Sequence, residues 1–214
     1  MNLITIASLV ACGLTPTVAR KWAEPLRAAC ERYEQTTPER FGCALAQWRV
    51  ETNDFADLEE NLHYTTARRL LEVFPATLAG DKDLAERLIA GGPRAIANYV
   101  YGKKNGNRGR DTDDGWRYRG RGPTHTTGRA KYLQAEQATG IPFVENPDLM
   151  MEPDGAAMAA AQDFQRLNEF ADVLNFDSCT RGVNGRGMQK RIERAALSGH
   201  HIQALRRLAQ AAPA

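Results

Sequence analysis

Thr37-Pro38-Glu39-Arg40-Phe41-Gly42-Cys43-Ala44-Leu45-Ala46-Gln47-Trp48-Arg49-Val50-Glu51-Thr52 reads as a helix with one face committed to a core. Thr37 can cap the first turn through its hydroxyl, Pro38 supplies the fixed φ wanted at the first helical position, and Glu39 sets a negative charge against the positive end of the helix dipole. Phe41, Ala44, Leu45 and Trp48 recur at i, i+3, i+4 and i+7, a single apolar stripe. Asn53-Asp54 breaks the pattern, so the helix is expected to end near Thr52, with Glu51 in its last turn where a side chain reaches past the helix end.

The same periodicity recurs on both sides of this segment. Thr15-Pro16 opens a run through Val18, Trp22 and Leu26, and further helices are expected over residues 66–73, 83–90, 93–100, 130–139, 154–170 and 188–209. Between residues 102 and 128 the chain turns to Gly, Arg, Asn and Asp with a short aromatic alternation at Trp116-Arg117-Tyr118, which predicts a long loop or a small β hairpin. No repeat or low-complexity tract interrupts the 214 residues, so the expected class is mainly α with one such hairpin, in a single domain.

With 43% hydrophobic and 25% charged residues, neither wholesale disorder nor a membrane bundle fits, and no stable membrane insertion is expected. The net charge of +2 conceals strong segregation. Residues 101–135 hold nine basic and three acidic side chains, residues 136–178 hold one and nine, and residues 179–214 hold seven and one. Two basic segments in one small domain suit an anionic polymer or simply a solvated surface. Cys12, Cys30, Cys43 and Cys179 are too few and too far apart for a disulfide scaffold and are read as reduced, buried residues. Residues 3–13 imitate a short signal peptide. However, no Lys or Arg precedes the apolar run, and it continues into helical periodicity, so it is read as part of the folded domain.

Glu51 at a helix end and Glu60 nine residues on could serve glycoside hydrolysis, in which one carboxyl is held protonated as acid and another, ionised, activates water. Spacing alone does not separate this pair from ordinary surface acids. Trp116 and Tyr118 offer flat faces for sugars or bases, with Arg117, Arg119 and Arg121 interleaved, so both ligand classes stay open. Other chemistries find no support. Gly120-x-Gly122 does not extend to a dinucleotide fingerprint, and no phosphate loop occurs. Asp111-x-Asp113-Asp114-Gly115 would need Glu where Gly122 stands to hold calcium, and His63, His125, His200 and His201 lack metal-ligand spacing. No metal and no cofactor is expected.

Several strings taken in order carry a resemblance. These are Leu45-Ala46-Gln47 through Glu51 to Phe55, Glu59-Glu60-Asn61-Leu62-His63-Tyr64, Ile96-Ala97-Asn98-Tyr99-Val100-Tyr101, Asp114-Gly115-Trp116-Arg117-Tyr118-Arg119-Gly120-Arg121-Gly122-Pro123 and Thr180-Arg181-Gly182-Val183-Asn184-Gly185. Over roughly residues 40 to 195 the chain resembles the chitinase-like glycoside hydrolases of family 19, and within them the bacteriophage and prophage endolysins. The resemblance implies a lysozyme-like α+β fold with two lobes around a substrate cleft, the core lobe at about 1–64 and 94–214 and a smaller helical lobe at about 65–93. It makes Glu51 the general acid and Glu60 the general base of an inverting reaction, with Thr127 helping Glu60 hold the attacking water. Substrate-binding roles fall to Trp116, Tyr118, Arg121, His125, Asn184 and Arg191, with Asn184 on the N-acetyl group or a water and Arg191 supporting the acid.

The departures are specific. Val50 and Asn53-Asp54 stand where the family has a histidine before the acid and two glycines after it, His125 replaces a glutamine, and the loop from Asn184 to Gly187 is short. The expected function is a peptidoglycan-degrading endolysin cutting the β-1,4 links of the bacterial wall. The alternatives are a chitinase on N-acetylglucosamine polymers and a catalytically weakened wall-binding module. The expected partner is peptidoglycan and no nucleic acid. The protein is expected to be a monomer held in the host cytoplasm until lysis.

Overall fold

The computed structural model describes residues 2–211 and is mainly helical. In chain order the helices are α1 (Ile6–Ala11), α2 (Pro16–Arg32), α3 (Pro38–Thr52), α4 (Ala67–Val73), α5 (Pro75–Leu78), α6 (Lys82–Ala90), α7 (Gly92–Tyr101), α8 (Asp114–Arg117), α9 (Arg129–Thr139), α10 (Pro153–Gln165), α11 (Asn168–Asp172), α12 (Phe176–Asn184) and α13 (Arg191–Ala211). The capping reading of α3 is realised, since the Thr37 hydroxyl accepts from Arg40 N at 3.2 Å and the helix stops at Asn53 in the left-handed region.

The chain divides into two compact units. The larger runs up to Leu58, takes in Gly122–Thr124 and resumes at Leu149; the smaller comprises Glu59–Arg121 and His125–Asp148. Of the stretch after residue 93, residues 94–121 and 125–148 belong to the smaller unit and those from 149 on to the larger.

In the larger unit, α3 packs along α13 and α10 packs along α2. Phe41, Leu45 and Trp48 from α3 join Leu9, Trp22, Leu26, Phe164 and Leu205 in one core. The alanines of α10 do their work here: Ala156, Ala157, Ala160 and Ala161 are fully buried, and their small side chains let two backbones approach closely. Helix α1 lies in this core through Leu9, and the following Cys12 and Leu14 are buried as well. All four cysteines are free and buried.

In the smaller unit, Leu70, Leu78, Ile96, Ala97 and Val100 form a second core, edged by the rings of Tyr64, Phe74 and Tyr101. Helices α7 and α8 meet at Gly115, where a Cβ would come within 2.4 Å of the Ala97 carbonyl oxygen. Only glycine fits that approach.

No extended strand forms among the described residues. The Trp116-Arg117-Tyr118 alternation lies on the single turn of α8, and pairing is limited to isolated bridges of Arg121 with Glu59 and with Thr126. The backbone donors that would extend a ladder are spent otherwise: Arg117 N bonds to Asp113 O and Gly128 N to Tyr118 O. The segment 154–170 is two helices broken at Arg166–Leu167, and α13 begins three residues later than the periodicity suggests because Gly185–Gly187 forms a 3-10 turn.

Candidate active site

Glu51 occupies the last turn of α3, with its side chain 18% exposed. Two donors converge on one of its oxygens. Arg194 Nη2 reaches Oε1 at 2.6 Å and Asn184 Nδ2 reaches the same atom at 3.2 Å. Among the described residues neither bonds to Oε2. Asn184 is itself held, its Oδ1 accepting from Gln189 N at 2.6 Å. Asn184, expected on the substrate's N-acetyl group or a water, thus bonds to the acid itself.

The cation beside Glu51 is Arg194 and not Arg191. Arg191 is exposed and pairs bidentately with Asp177 at 2.7 and 2.6 Å. Arg194 starts the stripe Ser198, His201, Ile202 and Leu205 that α13 buries. That helical spacing is the signal by which the sequence could have distinguished the two arginines.

The turn after Glu51 explains the replacement of the two glycines. Asn53, Asp54 and Phe55 all have positive φ, at 47°, 59° and 66°. Asn and Asp tolerate the left-handed region better than other side chains do, so the conformation that glycine would supply is still reached. It is anchored from three sides. Asp54 pairs with the buried Arg49, Phe55 N donates to Thr52 Oγ1 at 3.0 Å, and the Phe55 ring stacks on Trp22 at 4.4 Å. Arg49 also donates to the Cys12 carbonyl and to His201 Nε2. Val50, in the place of the histidine, brings no polar group.

In the smaller unit, Glu60 has a donor on each oxygen. Tyr101 Oη donates to Oε2 at 2.7 Å and Gly120 N donates to Oε1, while Glu60 N returns a bond to Gly120 O at 2.9 Å. Burial first, and then the charge of Glu60, push the Tyr101 phenol well above its ordinary value; the same two causes, in the same order, raise Tyr64. Both phenols stay neutral at ordinary pH. A Cβ on Gly120 would lie 3.1 Å from Thr127 Oγ1 and 3.2 Å from Glu60 Oε1, so Thr127 and Glu60 border one small space over a glycine. The Thr127 hydroxyl donates to the His125 carbonyl at 2.9 Å, and His125 is half-buried with φ 45°.

The stacking and charge expectations for the loop need correction. Tyr118 is buried, packing edge-on against Tyr132 at 5.2 Å with its hydroxyl on the Val144 carbonyl, so it presents no face to a ligand. Arg121 is 3% exposed and occupied by Glu59, Asp148 and the Arg117 carbonyl. Its role is internal charge balance. Trp116 is half-buried, with the Arg119 guanidinium over its ring at 3.7 Å. Sequence reasoning gave no role to Tyr101, although an aromatic at the end of α7, one turn beyond Ala97 of the buried face, was the available signal.

Among the described residues no group of three or more His, Cys, Asp or Glu could hold a metal ion, and no helix is long and apolar enough to cross a membrane. A cavity of about 420 Å³ lined by Leu3, Thr5, Leu205 and Leu208 contains none of these site residues.

No family model matches the chain. A glycosyl hydrolase family 19 domain-containing protein of Haemophilus influenzae is 30% identical over 158 residues, which cover 69% of this chain and 75% of that protein. With a fold that is mainly helical and two glutamates each gripped by dedicated donors, that identity settles the assignment: the chain belongs to glycosyl hydrolase family 19 and is a glycoside hydrolase.

Proposed function

We propose that the protein is a phage-type endolysin that hydrolyses β-1,4 glycosidic bonds of bacterial peptidoglycan by inversion, with Glu51 as general acid and Glu60 as general base. What carries the assignment of roles is the contrast between the two carboxyl groups. Both bonds to Glu51 fall on Oε1, which leaves Oε2 to bear and deliver a proton. Arg194 stabilises the carboxylate that forms as the proton leaves. Glu60 accepts on both oxygens, an arrangement suited to an ionised group that takes a proton from water. Thr127, across the Gly120 space from Glu60, supplies a second oxygen for that water.

The choice of polymer rests on charge. Peptidoglycan carries muramyl and peptide carboxylates, whereas chitin is neutral. Arg181 and Arg186, exposed on either side of Asn184, make no ion pair among the described residues, while Arg191, Arg194 and Arg206 of the same basic segment each have an acidic partner. In this reading the protein acts as a monomer, waits in the host cytoplasm and meets the wall once the inner membrane is breached. Chitin is the alternative polymer, since the family is chitinase-like.

Release of soluble fragments from purified walls and from colloidal chitin tests both parts. Wild type should solubilise walls and leave chitin intact, and Glu51→Gln should release fragments from neither. Cleavage of chitin alone would replace the polymer assignment, and equal rates for wild type and Glu51→Gln would remove Glu51 from the chemistry.

A further inference from the structure

Gln47 lies four residues before Glu51, one turn down the same face of α3, and is completely buried. Its side-chain amide faces two ways. Oε1 accepts from Arg194 Nη1 at 2.9 Å, and Nε2 donates to the hydroxyl of Thr180, also completely buried, at 3.3 Å. The Gln47 carbonyl takes a further bond from Nη1 at 3.3 Å, and Arg194 Nε donates to the Gln189 carbonyl at 3.0 Å. With the bond to Glu51, each of the three guanidinium nitrogens has an acceptor, in a side chain only 2% exposed. A buried guanidinium is tolerated when its N–H groups are met, and the acceptors that meet them fix the plane in which it lies.

We infer that Gln47 is a positioning residue for the hydrolysis: its amide, oriented by Thr180, sets the plane of Arg194 so that Nη2 engages Oε1 of Glu51 and leaves Oε2 to hand over the proton. The inference rests on Glu51 being the acid. It separates Gln47 from the apolar residues of α3, whose burial is packing alone. Glutamine is the residue type the position needs, because one amide supplies both the acceptor for Arg194 and the donor for Thr180.

Two substitutions at this position divide positioning from packing. Gln47→Met conserves volume and removes both polar functions; Gln47→Glu keeps an acceptor for Arg194. Positioning predicts that Gln47→Met lowers kcat about 10- to 100-fold with KM within about twofold, the cost of one charge-assisted hydrogen bond, and that Gln47→Glu recovers most of the loss. A packing role predicts the reverse order, with the buried carboxylate the worse variant and methionine harmless.

A spectroscopic arm needs no substrate. The Arg194 Nη1–H resonance, identified by its loss in Arg194→Lys, should be sharp and exchange-protected in wild type and in Gln47→Glu, and broadened or lost in Gln47→Met. An unchanged Arg194 signal in Gln47→Met, or wild-type kcat in that variant, overturns the inference. If Glu51→Gln keeps full activity, the acid assignment fails instead, and the resonance still decides whether Gln47 orients Arg194.

Discussion

Replacing Tyr101 with Phe removes a single oxygen from the grip on Glu60 and leaves the ring. The phenol donates to Glu60 Oε2 at 2.7 Å while the Gly120 amide holds Oε1, so the variant frees one end of the carboxylate and lets it turn about its last bond. The ring keeps its edge-on contact with Phe74 at 6.1 Å, so the apolar packing is conserved. A hydrogen bond to a charged group is worth about 1.5–3 kcal/mol, and a half-buried carboxylate can recover part of that from water. The expected loss in stability is accordingly below about 1 kcal/mol. No water can restore the alignment, so the full loss is expected in the rate: a fall in kcat of about 10- to 100-fold. Initial rates on the glycan that wild type cleaves, with thermal unfolding of both proteins, measure the two effects separately. A kcat within twofold of wild type at an equal folded fraction, or a loss confined to KM, would refute the idea that Tyr101 aligns the base.

Three further outcomes follow from particular contacts. Arg191→Ala should leave the rate within about twofold, because its charge is spent on exposed Asp177, whereas Arg194→Met should cost at least tenfold in kcat; comparable losses would return the supporting role to Arg191. Gly115→Ala should destabilise the protein by about 2–3 kcal/mol, since its Cβ would meet the Ala97 carbonyl at 2.4 Å and the clash is with backbone; urea midpoints of the two proteins check this. Burial lowers His201 from 6.5 to about 4, and Arg49, which can only donate, occupies Nε2. The unfolded chain therefore takes up a proton below about pH 6.5 that the folded chain refuses until about pH 4. This contribution, at most about 3 kcal/mol, is complete above pH 6.5 and is lost as the pH falls to about 4. Urea titrations from pH 7 to pH 4 should show a steeper loss for wild type than for His201→Gln, and parallel curves would exclude His201 as the cause.

Helices with a cap and an apolar stripe were legible in the sequence, and α3, α4, α6, α7 and α9 fall within a residue or two of their expected bounds. Helix α12 was not, because only Cys179 and Thr180 of its nine residues are buried and its cap is Asn175, a residue equally at home in a loop. The aromatic alternation at Trp116 and Tyr118 has a strand's period over too few residues to exclude a helical turn. The glutamates and Asn184 could be named from the motifs that carry the resemblance, whereas Arg194, Tyr101 and Gln47 carry only the weak signal of helical spacing. Arg194, Tyr101 and Gln47 are singled out by which side chain turns inward, a property of the packed helices. Arg121 and Tyr118 show the converse: residue types common in glycan sites serve here as a buried ion cluster and a core ring.

The most direct test of the central claim is to digest purified peptidoglycan with wild type and to follow, by mass and by proton NMR in the first minutes, the identity and anomeric form of the new reducing ends. Inversion with Glu51 as acid and Glu60 as base predicts N-acetylated amino-sugar reducing ends that appear first as the α anomer, and none from Glu51→Gln or Glu60→Gln. Initial release of the β anomer, or fragments cut only in the peptide stems, would contradict it.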